Sequence, residues 1–78
     1  MRIRVKLFGT LRRLSRQETP GLWEGEVPEG TTIQEMLYLI GAGKYEANAA
    51  AINGEPCSLD DIIPADSEIT VVTPMGGG

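Results

Sequence analysis

At 78 residues, with one cysteine and no histidine, the chain is one small domain. It is too short for a second core or a large active site, and it cannot build a disulfide framework, a zinc finger or a Cys-His nucleophile pair from its own side chains. Hydrophobic residues make up 41% and charged residues 23%, ordinary globular usage that disfavours wholesale disorder, and the formal net charge of −4 argues against a nucleic-acid binder relying on overall charge.

Charge is unevenly spread. Six of the seven Lys and Arg residues lie in the first sixteen positions, and all eleven Asp and Glu residues follow Gln17, so an acidic body carries one basic edge that would suit a partner with a basic docking surface. Met1 to Gln17 is basic and acid-free, as a transit peptide is, but it lacks the long apolar core of a secretory signal. Arg2 to Phe8 instead alternates, with Ile3, Val5 and Leu7 on one face and Arg2, Arg4, Lys6 and Phe8 on the other, the period of a half-buried strand. Gly9-Thr10 breaks it, Leu11 to Arg16 forms a helical turn, and Gln17 to Gly21 reads as a loop. Leu22 to Val27 is a second strand that pairs back on the first, ended by Pro28-Glu29-Gly30.

Thr32 as N-cap with Glu35 three residues on is a capping box. Ile33, Met36, Leu37 and Ile40 then form one apolar stripe, stopped by Gly41 or Gly43. Asn48 to Asn53 is a third strand, closed by the tight-turn pair Asn53-Gly54. An irregular stretch follows in which Leu59, Ile62 and Ile63 plug the core, and Pro64-Ala65-Asp66 turns into the last strand, Glu68 to Thr73. There Ile69 and Val71 face the helix, leaving Thr70 and Val72 on the far side. The first and last strands, the most strongly patterned, pair centrally, with a right-handed crossover between parallel neighbours. The expected fold class is α+β, one mixed sheet of four to five strands on one main helix.

Several motifs are decoys. Gly41-Ala42-Gly43-Lys44 suggests a phosphate loop, but Tyr45 replaces the needed Ser or Thr and Tyr38 stands where the first glycine should be. It reads as a helix-terminating loop. Asp60-Asp61 is a solvated turn rather than acid/base machinery, Cys57 is a structural thiol without an activating base, and no metal cluster is visible. The informative feature is the end, Thr73-Pro74-Met75-Gly76-Gly77-Gly78. Glycines have no side chain to bury and cost the most backbone entropy when ordered; they allow an extended backbone into a channel too narrow for a Cβ and leave the last carboxyl group open. The alternative is an ordinary disordered end.

Taken together these residues resemble the MoaD/ThiS sulfur-carrier family, of ubiquitin-like β-grasp fold, and its MoaD branch in particular. The likeness rests on Leu7-Phe8-Gly9-Thr10-Leu11-Arg12-Arg13-Leu14, where Phe8, Arg12 and Leu14 match the family pattern. It continues in the helix from Thr32 to Ile40, in Ile52-Asn53-Gly54, in Asp66 to Ile69 and in Pro74 to Gly78, with Gly77-Gly78 as the defining double glycine. Nothing trails beyond that pair, so no trimming protease is expected. The resemblance implies a β-grasp domain over residues 1–73 and a flexible glycine tail over 74–78.

It also implies the chemistry. A partner of the ubiquitin-activating type adenylates the Gly78 carboxylate with ATP, and a sulfur donor displaces AMP to leave a thiocarboxylate. The chain itself is then no enzyme: it binds no cofactor or metal, and Pro74, Met75, Gly76, Gly77 and Gly78 enter the partner's active site. Docking uses the sheet face away from the helix, through Phe8, Arg12, Thr70 and Val72. The Phe8 to Leu14 segment leans toward molybdopterin synthesis with a large synthase subunit as acceptor, and thiamine thiazole synthesis with a thiazole synthase is the runner-up. Thr73 before Pro74, where the MoaD branch has Pro-Pro, departs from that branch, and carriers for cysteine or methionine synthesis stay open. A cytoplasmic location is expected, with neither nucleic acid nor membrane as partner. Two other classes compete: a ubiquitin-like modifier conjugated to lysines, and an RNA-binding module using Arg2, Arg4, Lys6, Arg12, Arg13 and Arg16, which has few aromatics for base stacking.

Overall fold

The computed structural model describes residues 1–44 and 46–73. Five strands, β1 (Arg2–Leu7), β2 (Leu22–Glu26), β3 (Ala49–Ile52), β4 (Glu55–Cys57) and β5 (Glu68–Val72), form one sheet in the order β2-β1-β5-β3-β4. Among the described residues one α-helix, α1 (Ile33–Ile40), lies between β2 and β3, and a 3₁₀ helix (Gly9–Leu14) follows β1. β1 and β5 are parallel neighbours at the centre, and every other pairing is antiparallel. This is the β-grasp arrangement expected from the sequence.

The alternation in β1 works as read. Ile3, Val5 and Leu7 are buried and Arg2, Arg4 and Lys6 are exposed. Opposite them Ile69 and Val71 of β5 are fully buried, and Ile33, Met36 and Leu37 of α1 close the same core. Each such side chain contributes about 1.5–3 kcal/mol through burial. The capping box is present in both halves: Glu35 N–H donates to Thr32 Oγ1 at 3.1 Å, and Thr32 N–H donates to Glu35 Oε1 at 3.0 Å. At the other end Gly41 takes the left-handed conformation, φ 108°, with its N–H on Leu37 O and Tyr38 O. That geometry makes Gly41-Ala42-Gly43-Lys44 a helix stop, as expected.

Two expectations fail. The stretch after Asn53-Gly54 is not irregular throughout: Glu55–Cys57 is a fifth strand, paired antiparallel with β3. Asn53 and Gly54 have φ of 50° and 86°, the left-handed pair of a two-residue hairpin turn, and that turn brings the chain back into register. Pro56 is tolerated because β4 lies at the sheet edge. Ile62 does not plug the core but is 61% exposed, whereas Ile63 is 2% exposed. Ile62 bridges Thr32, and Ile63 N–H donates to Thr31 O at 2.9 Å, an extended stretch in which adjacent side chains must point to opposite sides. Smaller differences lie at the ends: Phe8, Val27 and Thr73 fall just outside their strands, and the turn after β1 starts at Gly9 and is 3₁₀ in type. Among the described residues no helix is long and apolar enough to cross a membrane.

Candidate functional site

The tail residues Pro74, Met75, Gly76, Gly77 and Gly78 lie outside the described residues. What the structure supplies is the surface around the point where β5 hands over to them. β5 is bracketed by β1 and β3, so its C-terminal end emerges from the middle of the sheet, not from a loose edge. Phe8 N–H donates to Val71 O at 3.2 Å on one side, and Asn48 N–H donates to Val72 O at 2.8 Å on the other.

The four docking candidates sit on two elements. Thr70 and Val72 alternate with buried Ile69 and Val71, so both face away from α1 and are half-buried. Phe8 continues β1 in an extended conformation and is 49% exposed. Arg12 lies on that helix and is exposed. Phe8 and Arg12 are brought together with Lys6 and Leu22 along one open groove of about 460 Å³. Among the described residues no hydrogen-bond or ion-pair partner engages the Arg12 guanidinium. An unpaired guanidinium beside an exposed phenyl ring can accept a carboxylate while covering apolar surface with its stem.

Two features of this face were not read from the sequence. The first is its flatness: the β3–β5 register sets Ala49 beside Val72 and Ala51 beside Thr70. The run Ala49-Ala50-Ala51 carried the signal, since with Ala50 turned inward the other two must face outward. The second is how charge is settled. Arg4 pairs with Glu24 at 3.4 Å, Lys6 with Glu68 at 3.3 Å, and Arg13 with Glu46 at 2.7 Å. Half of the basic edge thus has acidic partners from elsewhere in the chain.

Glu46 is the most connected of these acids. Its carboxylate accepts from Gly43 N–H at 2.9 Å, Thr10 Oγ1 at 2.9 Å and Arg13 Nη2 at 2.7 Å. The Gly43 amide in the first place, then Thr10 and the Arg13 charge, hold its pKa below the ordinary value of 4.5 against a partial desolvation that raises it. Cys57 behaves in the opposite sense: burial and then the nearby Asp61 carboxylate push the thiol up, which suits a structural residue rather than a nucleophile. No cluster of potential metal ligands occurs among the described residues.

Comparison with known proteins places this architecture. SAMP1 from Haloferax volcanii superposes with a TM-score of 0.69 at 22% identity, covering 100% of both chains. A putative molybdopterin converting factor, subunit 1, from Pyrococcus furiosus superposes with a TM-score of 0.65 at 24% identity, covering 95% of this chain and 98% of that one. At these identities the likeness speaks for the fold, which sulfur carriers of the ThiS/MoaD type share with ubiquitin-like small modifiers. No curated protein matches the sequence. The ThiS family model matches residues 5–78, nearly the whole length and through the double glycine, and the chain therefore belongs to the ThiS family.

Proposed function

We propose that the chain is a sulfur carrier whose Gly78 carboxylate is activated and converted to a thiocarboxylate, which then donates sulfur in molybdopterin biosynthesis. The observation that carries this reading is the family match running through Gly77-Gly78 at the end of a strand that leaves the centre of the sheet. A carboxylate is a poor electrophile because it is anionic and would have to expel oxide. Attack of its oxygen on the α-phosphorus of ATP expels pyrophosphate and leaves an acyl-adenylate. A hydrosulfide then adds to the acyl carbon and expels AMP, so one carboxyl oxygen is lost with the phosphate and sulfur takes its place. This reading assigns both steps to a partner of the ubiquitin-activating type and a sulfur donor.

Residues 74–78, fully extended, would span about 16–18 Å, enough to carry the carboxyl group into a partner's site while the body docks outside. The flat patch of Val72, Thr70, Ala49 and Ala51, with Phe8 and Arg12 at its rim, is the docking surface in this reading. The molybdopterin branch, with a large synthase subunit as acceptor, is favoured by the Phe8 to Leu14 segment and by likeness to the converting-factor subunit. Thiazole synthesis and cysteine or methionine synthesis use the same tail chemistry.

A second reading, a protein modifier joined through Gly78 to lysines, is favoured by likeness to SAMP1, whose chain is described elsewhere as small archaeal modifier protein 1. Intact mass after incubation with ATP, a candidate activating enzyme and sulfide decides between them. Replacement of one oxygen by sulfur in the full-length chain, and not in a variant lacking Gly78, supports the carrier. Isopeptide adducts of higher mass without that exchange support the modifier.

A further inference from the structure

At the end of β5 the chain rests on a glycine whose bare backbone is required there. Gly9 opens the 3₁₀ helix with φ 64°, and a Cβ built on it would overlap Thr73 Oγ1 and press on Thr73 Cβ and Cγ2 at 3.2 and 3.3 Å. The obstacle is the branched stub of a short side chain, held next to the main chain, not the movable end of a long one. Thr73 is doubly restricted: β-branching stiffens its χ1, and Pro74 after it confines its backbone to the extended region. A push on this residue is therefore passed to the direction of the chain.

Gly9 is itself held from both sides. Phe8 N–H on Val71 O (3.2 Å) ties the preceding residue to β5, and Thr10 Oγ1 on Glu46 Oε2 (2.9 Å) ties the following one to the segment that feeds β3. The same Glu46 carboxylate holds Arg13 and the Gly43 amide. The root of the tail thus sits between a braced glycine on one side and Asn48, bonded to Val72 O, on the other.

We propose that Gly9 is a positioning residue for the chemistry at Gly78: its bare Cα is the seat for Thr73, and the seat fixes the last residue of the body from which the tail starts. The inference rests on the carrier reading above. With the body docked, a fixed root narrows the set of directions from which the glycines can reach a partner's channel; freeing the root widens that set and lowers the share of bound chains whose carboxyl group is in place to react. Docking of the body does not involve the seat and stays as it was.

The test measures ATP-dependent pyrophosphate release by an activating enzyme supplied with the full-length chain, as kcat and KM, beside thermal unfolding. Thr73→Gly removes the seated side chain without straining Gly9. It is expected to lower kcat about tenfold, with KM within twofold of wild type and the melting temperature nearly unchanged. Thr73→Val keeps the branched shape and is expected to turn over as wild type. Gly9→Ala lowers both stability and kcat, and adding Thr73→Gly recovers the part of the stability lost to the overlap, though not the part due to the left-handed backbone of residue 9, without recovering kcat. The proposal is overturned if Thr73→Gly turns over like wild type, or if kcat falls only in step with stability or KM. Should the wild-type chain release no pyrophosphate with an enzyme proven on its own carrier, the carrier reading fails and the positioning role falls with it.

Discussion

The sheet face away from α1 has two halves built on different terms. At the end where β5 begins, Arg4 and Lys6 are answered within the chain by Glu24 and Glu68, and Asn53 exchanges hydrogen bonds with the Glu68 backbone at 2.8 and 2.9 Å. At the end where β5 finishes, the same face carries Phe8, Val72 and Ala49, with the Arg12 guanidinium unpaired among the described residues. Charge satisfied internally has little to offer a partner, whereas flat apolar surface with one unmatched cation gains from being covered. The lower half serves the fold, and the half around the tail's root is the docking surface in the proposed carrier reading.

Substitutions that separate the halves test this contrast. Val72→Asp sets a carboxylate in the middle of the flat patch; docking to the activating partner is expected to weaken tenfold or more, while stability falls by about 1–2 kcal/mol because the site is a half-buried position on a central strand. A binding titration beside a melt reads both, and loss of stability without loss of docking would erase the contrast. Phe8→Ala removes a ring that is half exposed. Docking should weaken several-fold with stability changed by about 0.5 kcal/mol or less, and a large drop in melting temperature would return Phe8 to the core.

The Glu46 carboxylate, which holds Thr10, Arg13 and the Gly43 amide, is expected to contribute less. Glu46→Gln keeps the shape but loses the charge, at about 1 kcal/mol near neutral pH. Because the folded pKa of Glu46 is depressed, its contribution is fully present above the unfolded value near 4.5 and is lost as pH falls through the folded value. Wild type and variant should therefore draw together in melting temperature as the pH falls from 4.5 through the depressed folded value. A gap that persists or widens in acid would assign the effect to something other than the carboxylate. The smallest effect is expected in the lower half: Arg4→Ala should change stability by about 0.5 kcal/mol or less, in keeping with an exposed ion pair, and leave docking untouched at physiological salt. A clear docking loss there would mean that the partner covers the whole face.

Much of this was legible in order along the chain because the physical signals are local. Ile3, Val5 and Leu7 announce a strand by period alone, and Thr32 with Glu35 announces a helix start because both ends of the capping box lie within one turn. Gly41 announces its stop by the conformation that only glycine takes easily. β4 was missed because three residues including a proline carry no period; what makes them a strand is the Asn53-Gly54 turn returning them to β3. Ile62 and Ile63 are both apolar and adjacent, so sequence cannot say which turns inward, and the bridge to Thr32 decides. Phe8, Arg12, Thr70 and Val72 could be assigned to a face, but the surroundings that give the face its character could not be read. Ala49 reaches Val72, and Glu24 reaches Arg4, only through strand register.

By itself, then, the sequence determined the order of strands and helix through local periods and, through motifs at consecutive positions that resemble a known family, the β-grasp class and the family, because both kinds of signal lie in short stretches of chain. Tertiary structure alone decided which cations are spent on internal ion pairs, how flat the surface around Val72 is, and that Gly9 lies under Thr73. Each of these is a contact between residues far apart in the chain, and such contacts exist only once the parallel pairing of β1 with β5 has brought the two ends of the molecule together.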